Sequence, residues 1–311
     1  MQPRGISIVV PVYNEEESIV KVVSDIEKAM KSTSIPFEIL IVNDGSTDRT
    51  QERISSAFNG NKHVVLVSHD TNRGVGIARN TGIERAGFNI VGMIDADETY
   101  PAEAIPSLFE KIGSYDMAVG ARTKEMGSLR LMRRMAKSFI RSLANYLFNT
   151  SIPDLNSGLR VFKKELAVKY FYLLPPGHSW VSTITLAFLA NGHTVCFVPI
   201  SYFPRKRGRS SFHPVIDTYN YLILILRAIT YFDPLKVFMP FFLILFIGGI
   251  VKTGLDILFY GHGIQESDII ILISAFLVLS VGLLSDLIVV QGKKLNFRKI
   301  EDHTTENTKF H

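Results

Sequence analysis

A chain of 311 residues, 20% charged and 47% hydrophobic, has room for one large domain or two ordinary ones. Its net charge of +5 is modest and no aromatic-interleaved basic platform accompanies it, which argues against a nucleic-acid binder. A single cysteine, Cys196, excludes an intrachain disulfide framework.

From Ile6 to Gly120 short runs rich in β-branched residues alternate with helix-like stretches. The runs Ile6–Val12, Phe37–Val42, Val64–Val67, Asn89–Ile94 and Met117–Val119 read as strands. Glu16–Met30, Asp48–Phe58, Gly76–Ala86 and Ala102–Ile112 read as helices. This alternation predicts an α/β fold with a Rossmann-like, mostly parallel sheet covered on both faces. The run Ile6–Val12 is too short for the apolar core of a signal peptide and continues into a polar helix. Gly127–Asn149 reads as a basic amphipathic helix, Ser157–Lys164 as a strand, Val181–Asn191 as a helix and Val195–Pro199 as a strand holding Cys196 as a packed thiol.

The mean hydropathy is positive, and its source lies further on. Val237–Tyr260 (24 residues) and Ile269–Val290 (22 residues) are each long enough to cross a bilayer core of about 30 Å. The loop between them has no Lys or Arg, whereas Arg205–Arg209 precedes them and Lys293, Lys294, Arg298 and Lys299 follow. By the positive-inside rule both flanks face the cytoplasm. Pro214–Phe232 carries the aromatic and basic mixture of a helix lying in the interface, and Asp233-Pro234 ends it. The expected divisions are a catalytic domain over 1–212, a juxtamembrane helix over 213–234, two spans within 235–292 and a disordered tail over 293–311. For Lys252 and Asp256, spaced i, i+4 near the outer end of the first span, mutual pairing or snorkelling is expected over transport.

On a parallel sheet, ligands bind beyond the carboxyl ends of the strands. Four polar clusters stand there: Tyr13-Asn14-Glu15, Asn43-Asp44-Gly45-Ser46, Asp70 to Arg73, and Asp95-Ala96-Asp97-Glu98. Two carboxylates one residue apart at the end of a buried strand require a compensating cation. Mg²⁺ or Mn²⁺ prefers such hard oxygens and shares them with substrate phosphates. Asp95 and Asp97 are therefore the expected metal ligands. Asp44 can accept hydrogen bonds from a ribose or base, and Tyr13 and Glu15 can address the same nucleotide. Arg73, before Gly74 in a loop, is the better diphosphate candidate; Arg79 lies in a helical pattern where a merely exposed charge is the alternative. Asp48 is a candidate helix N-cap.

These residues resemble the inverting nucleotide-diphospho-sugar glycosyltransferases of family 2, with the GT-A fold. The likeness rests on Val9-Val10-Pro11-Val12-Tyr13-Asn14-Glu15, Val42-Asn43-Asp44-Gly45-Ser46-Thr47-Asp48, Asn72-Arg73-Gly74 running into Ala78-Arg79-Asn80, and Asp95-Ala96-Asp97. Gly120-Ala121-Arg122, Asp154-Leu155-Asn156-Ser157-Gly158-Leu159-Arg160 and Arg207-Gly208-Arg209-Ser210-Ser211 resemble the dolichol-phosphate mannose synthase and polyprenyl-phosphate glucosyltransferase branch. Paired C-terminal spans are similar to the glucosyltransferase type, which is tetrameric in known examples. The pattern departs from relatives at Thr99, where Gln is frequent, and at Ser210-Ser211, where Ser-Lys is frequent.

The resemblance implies sugar transfer from a nucleotide-diphospho-sugar, UDP-glucose favoured, to a polyprenyl phosphate in the membrane. GDP-mannose-dependent synthesis on dolichol phosphate, or a membrane enzyme with another acceptor, is the alternative. Pro11, Tyr13, Glu15, Asp44, Arg73 and Asp95 would meet the nucleotide-sugar, and Asp95 and Asp97 the Mg²⁺ or Mn²⁺. Arg122, Arg134, Arg160, Arg207 and Ser210 would gather the lipid phosphate and diphosphate. Asp154 and Asp97 are the catalytic expectations, Asp154 as a base or as the group that orients the acceptor. A processive polysaccharide synthase would carry Gln-x-x-Arg-Trp; the sole tryptophan, Trp180, follows His178-Ser179 instead. For His178 and Trp180, acceptor binding and a packed aromatic turn are equally open readings.

Overall fold

The computed structural model describes residues 5–122, 152–177, 179–203, 234–261 and 263–307, by backbone alone from 292 onward. The chain divides into two compact units, Met1–Leu224 and Ile225–His311. The expected helices over Gly127–Asn149 and Pro214–Phe232, together with Arg134, His178, Arg207 and Ser210, lie outside the described residues.

In the first unit seven strands form one sheet: β1 (Ile6–Val12), β2 (Phe37–Asn43), β3 (Val64–Ser68), β4 (Ile90–Met93), β5 (Met117–Arg122), β6 (Arg160–Lys163) and β7 (Val195–Ile200). Their order is β3-β2-β1-β4-β6-β5-β7. Every pairing is parallel except those of β6, which runs against both β4 and β5. That reversal has a local cause. Residues 152–159 lie at the carboxyl end of β4, where Gly158 packs on Asp95, so β6 can only run back down the sheet.

β1 is buried at all seven positions, as a central strand with helices on both faces must be. α1 (Ile19–Lys31) covers one face with Ile19, Val22, Val23, Ile26 and Met30, an i, i+3, i+4, i+7 stripe. Each such aliphatic side chain stabilises the fold by roughly 1.5–3 kcal/mol relative to exposure. α2 (Thr50–Phe58), α3 (Val75–Arg85), α4 (Ile105–Lys111, entered through a 3₁₀ turn), α5 (Lys164–Val168) and α6 (Trp180–Ala190) complete the layers. Strand and helix positions follow the sequence expectation to within a few residues.

The chain places β2 and then β3 on one side of β1, and returns to set β4 on the other. The switch point therefore lies between β1 and β4, and the crevice above it is the expected ligand site.

The second unit is an antiparallel pair, α7 (Leu235–Leu258) and α8 (Glu266–Asn307). Gly249 lies against Leu272 and Gly282 against Phe238, while Phe242 and Phe246 meet Phe276. Both helices are long and apolar enough to cross a membrane, and only 6% and 17% of their apolar windows are buried by protein, unlike core helices of a soluble domain. Lys252 pairs with Asp256 as its spacing predicts (2.6 Å), and also reaches Asp268 (2.6 Å) and Ser267 (2.9 Å). The tail expected to be disordered is helical to Asn307: after Gly292 no Gly or Pro interrupts the ladder before that residue.

Candidate active site

The loops after β1 and β2 are tied together by side chains. Thr47 donates to Asn14 Oδ1 through its N–H (2.8 Å) and its hydroxyl (3.3 Å), and the Asn14 N–H donates to Ser46 Oγ (3.0 Å). The Glu15 N–H donates to Thr50 Oγ1 (2.9 Å). Asp48 accepts the N–H and hydroxyl of Thr50 at 3.0 and 2.6 Å and the Glu16 N–H at 3.3 Å, so it closes the turn before α2 instead of capping it directly. Gly45 has φ +68°, and a Cβ there would lie 2.5 Å from the Thr71 backbone. Only glycine lets the β3–α3 loop approach this closely.

Asp44, nearly fully buried, sits at the centre of that approach. Its Oδ1 accepts from His69 Nδ1 (2.7 Å) and the Arg73 N–H (3.0 Å), and its Oδ2 from the Gly74 N–H (2.8 Å). The side chain of Arg73 is left exposed at the rim. Pro11 is buried inside β1, Tyr13 is exposed at its end, and the half-buried Glu15 accepts the Ser18 hydroxyl at 2.9 Å.

The Asp-x-Asp turn follows β4, with Glu98 in the left-handed region at φ 60°. That conformation is uncommon for a residue with a side chain, and it sits between Asp97 and Thr99 at the crevice. Asp97 Oδ1 accepts the hydroxyl (2.6 Å) and N–H (3.3 Å) of Thr99, which fixes the carboxylate's rotamer. Asp95 Oδ1 accepts from Arg79 Nη2 at 2.9 Å. Arg79 is therefore no exposed charge: it is buried, stacked over the Trp180 ring at 5.6 Å, with Nε and Nη1 unpartnered among the described residues. Trp180 is itself fully buried, and its Nε1–H donates to Asn80 Oδ1 (2.8 Å), which is the packed-turn role.

Asp95 keeps Oδ2 clear of hydrogen-bond donors among the described residues, and its side chain is 30% exposed. No group of three or more His, Cys, Asp or Glu is gathered as a complete cage among those residues. Two half-exposed carboxylates that leave coordination places for substrate phosphates suit Mg²⁺ or Mn²⁺, so the residues present fit such an ion.

Gly158 presses against the same carboxylate: a Cβ there would fall 2.0 Å from Asp95 Oδ2. Gly158→Ala must therefore swing Asp95 aside. The sugar transfer that the sequence resemblance implies is expected to drop about 100-fold, with a melting point within a few degrees of wild type, because a short side chain yields and no backbone does. Initial rates beside thermal melts check this; full activity in the alanine variant would remove Asp95 from the site.

Arg122 and Asp154 form a bidentate pair, Nε to Oδ2 at 2.7 Å and Nη2 to Oδ1 at 2.8 Å, beneath the Tyr202 ring at 5.1 Å. Burial pushes the Asp154 carboxyl up, but the hydrogen bonds and charge of Arg122 outweigh it and hold the group below the ordinary carboxylate range. Burial of Arg122 opposes its charged form and Asp154 overcomes that as well, raising its pKa. Tyr100, its hydroxyl pushed up by burial and the nearby Asp95 charge, accepts the Gly158 N–H at 2.8 Å.

Arg160 departs from the phosphate-binding expectation. It is fully buried, donating to Val181 O (2.7 Å), Thr185 Oγ1 (2.9 Å) and Ser157 O, and so ties β6 to α6. Its Nη1 and Nη2 are taken by interior acceptors, Nε is buried without a partner among the described residues, and no part of the side chain is exposed. His69 carried a single signal in the sequence, its place directly after β3 among the polar clusters.

The chain is similar to several known proteins. The undecaprenyl-phosphate 4-deoxy-4-formamido-L-arabinose transferase of Pectobacterium carotovorum is 32% identical over 165 residues, covering 52% of this chain and 50% of that protein. The low-salt glycan biosynthesis hexosyltransferase Agl6 of Haloferax volcanii is 29% identical over 207 residues, 65% of this chain and 48% of that one. The chain thus spans about half the length of these curated relatives. Among solved structures, glucosyl-3-phosphoglycerate synthase of Mycobacterium tuberculosis superposes with a TM-score of 0.57 at 19% identity, covering 72% of this chain and 80% of that chain; at that identity the likeness concerns the fold, which is of the GT-A type. Residues 233–290 match the model of the GtrB C-terminal hairpin. Residues 7–171, more than half of the chain, match the model of glycosyl transferase family 2, and the chain belongs to that family.

Proposed function

We propose that the protein transfers a sugar, glucose from UDP-glucose in the favoured case, to a polyprenyl phosphate at the cytoplasmic face of a membrane, with inversion at the anomeric carbon. The observation that carries this reading is the placement of Asp44 after β2 and of Asp95 and Asp97 after β4, the strands on either side of β1 at the carboxyl edge of the sheet, in a chain that also bears a hairpin of two membrane-length helices. The names of the Pectobacterium and Haloferax relatives, an undecaprenyl-phosphate sugar transferase and a hexosyltransferase, support it.

Asp44 offers the nucleoside an acceptor at the floor of the crevice, with Tyr13 and Glu15 at its edge and Arg73 on the diphosphate side. Asp95 and Asp97 would hold the divalent cation, Mg²⁺ or Mn²⁺; a related fold is solved with Mn²⁺ and UDP. Such an ion, when bound, supplies positive charge against the departing diphosphate. The acceptor oxygen is already anionic, so the chain need not remove a proton from it. Its task is to bring two phosphate-bearing molecules together in line. Arg122, with Arg134 and Arg207, offsets their repulsion through guanidinium hydrogen bonds. Asp154, held ionised by Arg122, aims that guanidinium and so orients the acceptor; the same pairing makes it a weak base. Basic residues flanking the two spans keep the crevice on the cytoplasmic side.

The donor is tested with a panel of UDP-glucose, UDP-N-acetylglucosamine and GDP-mannose on detergent-solubilised protein. UDP-glucose is expected to give the highest kcat/KM, and a preference for GDP-mannose would replace the donor assignment.

A further inference from the structure

Packed against Asp44 is a buried imidazole that the mechanism above does not use. His69 follows β3, and its side chain is 7% exposed. Nδ1 lies 2.7 Å from Asp44 Oδ1 and Nε2 lies 3.0 Å from Thr81 Oγ1, on α3. A carboxylate only accepts, so Nδ1 is the donor of the first contact. The imidazole is thereby fixed at both nitrogens between two elements of the fold.

A carboxylate has about four acceptor positions, two on each oxygen. Oδ1 of Asp44 takes two donors, His69 Nδ1 and the Arg73 N–H. Oδ2 takes one, the Gly74 N–H, and so has room for a single further donor. With the side chain 3% exposed, that donor must arrive along one direction. Without His69, both oxygens would have room.

We propose that His69 is a specificity-determining residue: by filling Oδ1 it reduces Asp44 to a one-donor acceptor that matches a uracil-type base and rejects guanine. A uracil ring offers one imide N–H between two carbonyls. Guanine offers adjacent N1–H and N2–H donors that seek both oxygens of a carboxylate, and at this site one of them would be left unpaired. Leaving a buried donor without an acceptor is what makes such rejection effective. Thr81 is a positioning residue for the imidazole. This inference rests on the reading that Asp44 meets the nucleoside.

The test is equilibrium binding of UDP and GDP, at fixed Mn²⁺, to the full-length protein in detergent. The two ligands share the diphosphate and ribose, so the ratio of their Kd values reports the base. Wild type is expected to favour UDP. His69→Ala should shrink that preference roughly tenfold, the effect of giving the second guanine donor a partner. His69→Asn places an amide N–H where Nδ1 stood and should restore the preference. Thr81→Val should loosen the ring and lower the ratio by a smaller factor, about threefold. A role in folding alone would lower stability and weaken both ligands together, leaving the ratio in place. An unchanged ratio in His69→Ala, or an Asn variant no better than the alanine one, overturns the proposal. Asp44→Ala separates the two levels: if UDP binding survives it, Asp44 does not meet the nucleoside and the donor-site reading falls as well. If binding is lost there while the ratio in the His69 variants stays at the wild-type value, only the role of His69 falls.

Discussion

Asp97→Ala is expected to lower sugar transfer by at least about 10³-fold, the scale on which removal of a charge-stabilising group acts at a reacting centre. The structure separates the local cost from the catalytic one. Thr99 donates two hydrogen bonds to Oδ1, so the alanine variant loses those as well as the charge. It should melt only a few degrees lower, at about 1 kcal/mol for each net hydrogen bond. Asp97→Asn retains an acceptor for Thr99 and removes only the negative charge. Equal inactivity in the two variants, with loss of Mn²⁺ binding measured by paramagnetic resonance, assigns the effect to the charge. Transfer within tenfold of wild type in Asp97→Asn, or full activity in chelator-treated protein, would contradict the metal assignment.

Arg122→Met is expected to destabilise the first unit by about 3–5 kcal/mol, because it leaves the Asp154 carboxylate buried without a cation. The side chains are only 16% and 9% exposed, so solvent does little to screen them. Asp154→Asn alone should cost less, and the double variant should recover part of the loss; that non-additivity measures the coupling. The same pair sets a pH signature. Asp154 is depressed in the folded state, so its contribution is present above the unfolded value near 3.9 and is lost as pH falls through the lower folded value. The stability gap between wild type and Asp154→Asn should therefore be wide at pH 7 and close in strong acid. Urea titrations at several pH values check this. A constant gap would mean that the carboxylate is not ionised by Arg122.

The strands and the polar clusters were legible because burial on both faces demands long apolar runs, and the residues ending those runs stand out by contrast. Asp44, Asp95 and Asp97 could be picked out for that reason. The arginines could not be sorted. Arg79 and Arg160 carry the same side chain as Arg73, yet two are buried and one is exposed. What separates them is tertiary: Arg79 shares a helix face with Gly82 and Ile83, both buried, and Arg160 enters a strand that the sheet encloses on both sides. His69 escaped notice because its meaning comes from Asp44, 25 residues earlier in the chain, and from Thr81 on another element. β6 could be read as a strand but not as a reversed one, since direction is set by where the preceding loop delivers the chain.

The most direct measurement supplies labelled nucleotide-sugar and a polyprenyl phosphate to the full-length protein in detergent and asks where the label goes. Label should appear in an organic-extractable lipid that releases the sugar on mild acid treatment, and only when a divalent cation is supplied. Label confined to a water-soluble acceptor or a growing polymer, with none in the lipid, would contradict the assignment of a polyprenyl phosphate as acceptor.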